Sequence, residues 1–292
     1  MHQLSLGAVN PQAPPPATAA PPTAELRRQA EVAVMLPPGM AGVPRAAAGV
    51  RLLRVASVRE LRALTASTRL AGLISTARDE FGVPVQTLAE GASPLPHDAH
   101  LTLFGRLSPD MSEQALQLTA AGYRVRVALD GVEAPGTALR DAVDRSLPSD
   151  AQLRLLGALT GVARPALAHV LVGAAVVGAR RPSVATLCDA TGVARRTLER
   201  RLKDGRLPPA HRLLLDVLVL HVLWQTELLG WPLKRVAARA GFASPAALRD
   251  CVRRHCGAPL RRTAGGGGFD AGLAGFTAKL REAGLLDRDA GR

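Results

Sequence analysis

The sequence predicts a small α/β unit with a parallel sheet, followed by an all-helical unit. Short apolar runs alternate with helical patterns between residues 31 and 130, and helical periodicity continues from residue 150 to 262. Hydrophobic residues make up 47% of the 292-residue chain but aromatics only 3%, so Leu, Val and Ala must fill the cores. That composition favours helices, and the length is typical of about two domains.

The predicted strands of the α/β unit are short and have helices between them. The strand segments are residues 32–36, 50–55, 73–75, 101–104 and 123–129. One helix is predicted over 57–66, with Ser57 as N-cap and Glu60 three residues later, as in a capping box. The other is predicted over 110–121, opened by Pro109 and closed by Gly122. We place this unit at residues 31–130.

Three segments lie outside the two predicted units. Residues 1–30 are rich in Pro and Ala without hydrophobic periodicity, so we expect a disordered arm. Residues 131–149 are rich in Gly, Pro and charge, which predicts a linker. Residues 263–292 combine a Gly-rich hinge with a helix whose apolar residues share one face, so we expect this helix to fold back onto the core.

The chemistry of the α/β unit is open to three interpretations: an enzyme, a phosphorylation receiver or a sensor. No Gly-rich phosphate loop follows a strand, and no nucleophile motif is present. The order of elements resembles a response-regulator receiver domain, which implies acidic residues after the first and third strands. Ala56 and Ser57 follow the second predicted strand, and Thr76 and Ala77 follow the third. The resemblance therefore implies a degenerate receiver without phosphoryl chemistry, kept for docking or dimerisation.

The positive charge of the chain is concentrated in its last third. The net charge is +13 and the isoelectric point is near 11.3. Residues 180–262 contain 17 Lys and Arg against 6 Asp and Glu, so this stretch carries +11 of the +13. A field of that sign predicts a polyanionic partner, either nucleic acid or an acidic membrane surface.

The basic stretch begins with a predicted helix, turn and helix. Ser183 caps a helix over 184–190, Gly192 lies in the turn, and a second helix covers 194–203. Apolar residues are predicted to face inward: Val184, Leu187, Val193, Leu198 and Leu202. Charged residues are predicted to face outward: Arg195, Arg196, Glu199, Arg200 and Arg201. An isolated charge run of this kind usually forms only a solvated helix face, so a second observation is needed.

That observation is a second copy of the pattern. A helix is predicted over 233–240, Gly241 lies in its turn, and Ser244 caps a further helix with Pro245 at its first position. Gly241 lies 49 residues after Gly192. Between the copies, a helix over 210–229 extends about 30 Å, close to one turn of B-DNA, so two helices could enter successive major grooves.

These residues resemble the AraC-type transcription regulators. The segment from Gly192 to Leu202 is similar to the first recognition helix of that family, while residues 241–244 and 257–259 are similar to its GF-x-S turn and G-x-P terminus. The resemblance covers about residues 165–262 and implies a double helix-turn-helix domain, which we place at 150–262. It implies base reading by the following residues: Arg195, Arg196, Glu199 and Arg200.

The sequence departs from the family pattern in two places. Ala194 replaces the usual capping Ser, and the second recognition helix is poor in readers, since only Ser244 and Arg249 have a suitable side chain. We therefore expect the first motif to read bases and the second to contact the DNA backbone. The expected backbone contacts are Lys234, Arg235, Arg253 and Arg254.

Several other functions have little support in the residues. Cys251, His255 and Cys256 lack a fourth metal ligand, and we expect neither a metal ion nor a cofactor. Few cysteines, no secretory leader and no apolar stretch of membrane-spanning length predict a cytoplasmic protein. The leading expectation is a regulator that binds double-stranded DNA, does not bind a membrane, and dimerises or senses an unknown effector through its N-terminal domain. A non-specific architectural DNA binder, or an enzyme with a DNA-binding tail, stays open.

Overall fold

The N-terminal part of the chain forms a five-stranded, all-parallel sheet. The computed structural model describes residues 30–36, 50–90, 95, 99–130, 151–180, 183–257, 259–260 and 268–286. The strands pair in the order β2-β1-β3-β4-β5. They are β1 (Ala30–Met35), β2 (Val50–Arg54), β3 (Gly72–Ser75), β4 (His100–Gly105) and β5 (Arg124–Leu129). This is one of the two common doubly wound strand orders.

All five predicted strands are confirmed, with ends that shift by at most two residues. Strands β3 and β4 have almost no solvent-exposed face, since Leu73, Ile74, Leu101 and Leu103 are buried, as are the polar Ser75 and Thr102. A sheet covered on both faces requires this nearly continuous apolar pattern. The larger core lies on one face, and a small cluster that includes Val32, Ile74 and Phe104 lies on the other.

Two helices and a 3₁₀ turn connect the strands. Helix α1 (Val58–Thr65) has the predicted cap, since the Ser57 hydroxyl accepts a hydrogen bond from the Glu60 amide at 3.1 Å. The Glu60 carboxylate accepts from the amide of Ala56, one residue before the position of a standard capping box. Helix α2 (Pro109–Ala120) follows β4, and the 3₁₀ turn Val85–Ala89 follows β3. The sequence did not predict that turn.

The rest of the described chain is helical. The helices are α3 (Ala151–Leu159), α4 (Pro165–Val177), α5 (Val184–Thr191), α6 (Arg195–Asp204), α7 (Ala210–Leu223), α8 (Leu233–Arg239), α9 (Pro245–Cys256) and α10 (Gly268–Glu282). The long helix predicted over 210–229 is present, but its last turn, Trp224–Leu228, is π-helical. Within it the Leu229 amide donates to the carbonyl of Trp224 at 3.3 Å. Such single π turns are rare in proteins, and those that occur are often found at functional sites.

Sheet and helices share one hydrophobic core. Helix α3 packs on β5 and α2, and the Gln152 amide group closes this contact by bonding the backbone N–H and C=O of Val127 at 3.3 and 3.1 Å. Helix α4 is apolar on all sides and is almost wholly buried between α2, α3, α5 and α7. Ten of its residues are buried, so α4 is the axis on which the α/β layer and the helices meet.

Some predicted segments lie outside the described residues. These are the arm up to residue 29, the whole predicted linker 131–149, residues 261–262 at the end of the predicted helix-turn-helix domain, and residues 263–267 and 287–292 of the predicted C-terminal segment. The helix after the hinge folds back as expected, with Phe269, Phe276 and Leu280 buried and Leu273 packed at the edge of the core. Within the described ranges, no helix has the length and apolar character needed to cross a membrane.

Candidate nucleic-acid interface

The first helix pair consists of α5 and α6, joined at Gly192. The hydroxyl of Ser183 caps α5 by accepting from the Thr186 amide at 3.0 Å, as predicted. Gly192 has φ +65° and ends α5 in the left-handed conformation. A Cβ atom built on it would meet no atom within 4 Å, so the turn requires glycine for its backbone angle and not for space.

Three arginines form the exposed face of α6. Leu198 and Leu202 anchor the helix in the core, as the spacing predicts. Arg195, Arg196 and Arg200 point away from that core, and within the described part of the chain none of them makes a hydrogen bond or ion pair. Residues four apart share a helix face, so Arg196 and Arg200 present two guanidinium groups side by side. We call these three residues the arginine face.

Glu199 and Arg201 are half-buried, although the sequence predicted both to face outward. The Glu199 carboxylate lies at the start of α7 and accepts from the Ala210 amide at 3.4 Å. Helix α7 begins after Pro209, which offers no side-chain cap, so Glu199 supplies the acceptor in its place. The exposed Lys203 extends the basic surface of α6 toward its C-terminus, which the sequence reading missed. Val184, predicted to face inward, is also only half-buried.

The second helix pair consists of α8 and α9. Gly241 has φ +77° between the helices, and the hydroxyl of Ser244 caps α9 by accepting from the Ala247 amide at 3.1 Å. Ser244 is half-buried, which leaves Arg249 as the exposed cation near the start of this helix. Arg249 makes no ion pair or hydrogen bond with the described residues.

Three of the four predicted backbone contacts of the second pair are held by neighbouring residues. Asp250 accepts from the Arg253 guanidinium at 3.1 Å through its side chain and from Arg254 Nε at 3.3 Å through its carbonyl. Arg235 lies over the ring of Trp231, 3.8 Å from its centroid. Lys234 is exposed and has no such neighbour within the described ranges. The Asp250 charge offsets one cation, so this pair carries less free positive charge than its sequence suggests.

Arg239 is a basic residue near Trp231 for which the sequence predicted no role. Its guanidinium lies 5.3 Å from the Trp231 centroid, on the ring that Arg235 also covers. Beside this group, a cleft of about 780 Å³ is lined by Trp231, Arg249 and Arg253. The only sequence signal was a tryptophan followed within eight residues by three basic side chains, and it does not by itself predict stacking.

A buried histidine connects the first helix pair with the α/β layer. His169 of α4 contacts the Ser112 hydroxyl through Nδ1 at 2.8 Å and the carbonyl of Thr191 through Nε2 at 2.9 Å. A carbonyl only accepts, so Nε2 carries the proton and Nδ1 accepts from Ser112. Burial lowers the pKa of His169, which favours this neutral form. Thr191 directly precedes the Gly192 turn.

The C-terminal helix fixes the far end of the second pair. Asp216 of α7 contacts His255 of α9 at 2.8 Å and Lys279 of α10 at 3.2 Å. Burial of Asp216 alone would raise the pKa of its carboxyl, but the hydrogen bond from His255 and the charge of Lys279 outweigh it and lower the pKa. The Trp224 and Phe269 rings meet edge to face, 4.8 Å apart, so α10 also packs on the π turn.

The cysteines do not assemble a metal site. Cys188 and Cys251 are half-buried and Cys256 is exposed. Nitrogen Nε2 of His255 is used by Asp216, and no group of three or more His, Cys, Asp or Glu within the described ranges is arranged to hold a metal ion.

No protein-family model, curated protein or solved structure matches this chain.

Proposed function

We propose that the protein is a transcription regulator that binds double-stranded DNA at specific sequences. The observation that carries the proposal is the arginine face, three guanidinium groups without a partner among the described residues, on a helix that begins three residues after a left-handed glycine. An arginine fork fits the O6 and N7 atoms of guanine, and an α-helix fits the major groove. Leu198 and Leu202 hold the helix in the core, so that its backbone needs no reordering on binding.

The two helix pairs act as a double helix-turn-helix in this proposal, with unequal roles. The first reads bases through Arg195, Arg196 and Arg200, while Glu199 positions the start of α7. The second has less to offer base edges, because Arg249 is the one exposed cation near the start of α9 while Arg253, Arg254 and Arg235 are held by Asp250 and Trp231, so it mainly contacts phosphates. The resemblance to AraC-type regulators supports this division, and so does the position of α7 and the π turn between the two pairs along the chain.

The α/β unit is a receiver-like module without phosphoryl chemistry in this proposal, and the protein is not an enzyme. The strand order supports the receiver-like part. Asp79, which follows β3, is buried, and its carboxylate accepts from the amides of Val58, Phe81 and Val83 at 3.0, 3.0 and 2.8 Å. A carboxylate held by three backbone donors is a loop cap, which leaves the module a docking, dimerisation or sensing role.

Footprinting on fragments selected from the host genome tests the proposal. We expect protection of a discrete site that survives an excess of random DNA. Arg196→Ala or Arg200→Ala should weaken that site by about 1–3 kcal/mol and relax one base position. Arg253→Ala should weaken all sequences alike and reduce the salt slope by about 1.

Arg281→Ala is the matched control, because it removes one exposed positive charge from α10 and leaves both helix pairs intact. It should change the specific affinity much less than Arg196→Ala. Smooth coverage of all DNA, with equal losses for Arg196→Ala and Arg253→Ala, would instead identify a non-specific architectural binder and reject base reading by α6.

A further inference from the structure

The loop after β3 presents two apolar side chains to solvent. Phe81 is 72% exposed and Val83 is 38% exposed. Leu228, in the π turn, is the other exposed large hydrophobic residue in the described part of the chain. Two exposed apolar residues in one short loop form a patch, whereas Leu228 stands alone.

This loop is held in place by side-chain bonds. Besides the three amides that Asp79 binds, Arg78 forms a two-pronged pair with Asp110 of α2, at 2.8 and 3.0 Å, and donates to the carbonyl of Gly82 at 3.0 Å. The exposed phenylalanine therefore belongs to an ordered loop. An anchor that is already fixed loses little conformational entropy when a partner covers it.

Beside the loop lies a cleft of about 610 Å³, lined by α1 and the 3₁₀ turn. Val58 and Val83 supply apolar surface, Arg59 and Arg62 supply positive charge, and Glu90 supplies negative charge. Glu80, next to Phe81, adds a second exposed carboxylate. Arg59, Glu80 and Glu90 have no ion pair with the described residues. The surface thus combines a protruding ring, a hollow, two cations and two anions.

We infer that this surface, formed by Phe81, Val83, Arg59, Glu80 and Glu90, pairs with the same surface of a second copy of the chain. A two-fold contact places one patch against itself, so the patch must carry both members of each complementary feature. A ring beside a hollow and cations beside anions meet that requirement. A partner recognised by charge alone would instead favour a surface of one sign. The inference goes beyond DNA binding and does not depend on it.

The test is the concentration dependence of mass, measured by sedimentation equilibrium on the full chain without DNA. We expect a monomer–dimer equilibrium for the wild type. Phe81→Ser should raise its dissociation constant at least about tenfold, since aromatic anchors dominate such contacts. Leu228→Ser is the matched control, and it should leave the constant unchanged. Phe81 is 72% exposed and Leu228 is 49% exposed, so circular dichroism should show a native fold for each variant.

A charge-swap pair tests the electrostatic part. Arg59→Glu makes the surface acidic, and Glu80→Lys with Glu90→Lys makes it basic. Each variant alone should dimerise more weakly than the wild type, and an equimolar mixture should recover a dimer. A wild type that stays monomeric at all concentrations overturns the inference. So does a dimer that Phe81→Ser leaves intact, or a mixture that gains nothing over its components.

Discussion

Ser112 and His169 offer a quantitative test of how the α/β layer is joined to the helices. Both side chains are at most 2% exposed, and their hydrogen bond is 2.8 Å long. Ser112→Ala leaves Nδ1 of His169 buried without a donor, a loss of about 1–3 kcal/mol in the free energy of unfolding. His169→Gln keeps a donor for the carbonyl of Thr191 but leaves the Ser112 hydroxyl without an acceptor, so a similar loss is expected.

The assay is urea unfolding of the wild type, the two single variants and the double variant. The double variant lacks both members of the bond, so its loss should be close to that of either single variant and well below their sum. Additive losses would show that the two groups do not interact. A Ser112→Ala variant as stable as the wild type would show that Nδ1 is satisfied in another way, and either result would refute the reasoning.

Three further predictions concern stability. The pKa of His169 is lowered on folding, so its contribution is fully present above the unfolded pKa of about 6.5 and is lost as pH falls through the lower folded value; urea unfolding of the wild type should show this pH dependence relative to His169→Gln. Gly173→Ala should lower the free energy of unfolding by about 1–3 kcal/mol, because its Cβ would lie 2.5 Å from Thr191 Cγ2. Gly157→Ala, in open space on α3, should raise the free energy of unfolding by about 0.5–1 kcal/mol. Equal shifts of the melting temperature would contradict this. Gly192→Ala should cost about 1 kcal/mol and Gly192→Asn less, measured by thermal unfolding, because the backbone angle is the obstacle; equal costs would oppose it.

Much of the fold could be predicted from the sequence because its signals are local. The strands are runs of Val, Leu and Ile, and three of the predicted caps, at Ser57, Ser183 and Ser244, depend on residues no more than three positions away. The π turn was not predictable, because the residues around Trp224 continue an ordinary helical pattern. The packing of α3 on β5 includes a hydrogen bond from Gln152 to Val127, 25 residues earlier in the chain, and no local pattern indicates that contact.

In the candidate site, too, the local features could be predicted and the contacts between distant residues could not. Spacing alone places Arg196 and Arg200 opposite Leu198, but their function stays a prediction. The contact of Glu199 with the start of α7 depends on how two helices cross, and the link from Ser112 to His169 joins residues 57 apart. Periodicity carries no information about such distant pairs.

The position of α4 between the α/β layer and the other helices affects which parts of the protein could be exchanged in a chimera. Leu107 belongs to the loop before α2, and its Cδ2 lies 3.4 Å from the place of a Cβ on Gly173, where Thr191 and Leu187 of the first helix pair also converge. A chimera that kept the helices but exchanged the α/β layer would uncover this junction and leave His169 without Ser112. We expect the working unit of recombination to be the whole chain from β1 to α10, with any functional graft made on its surface.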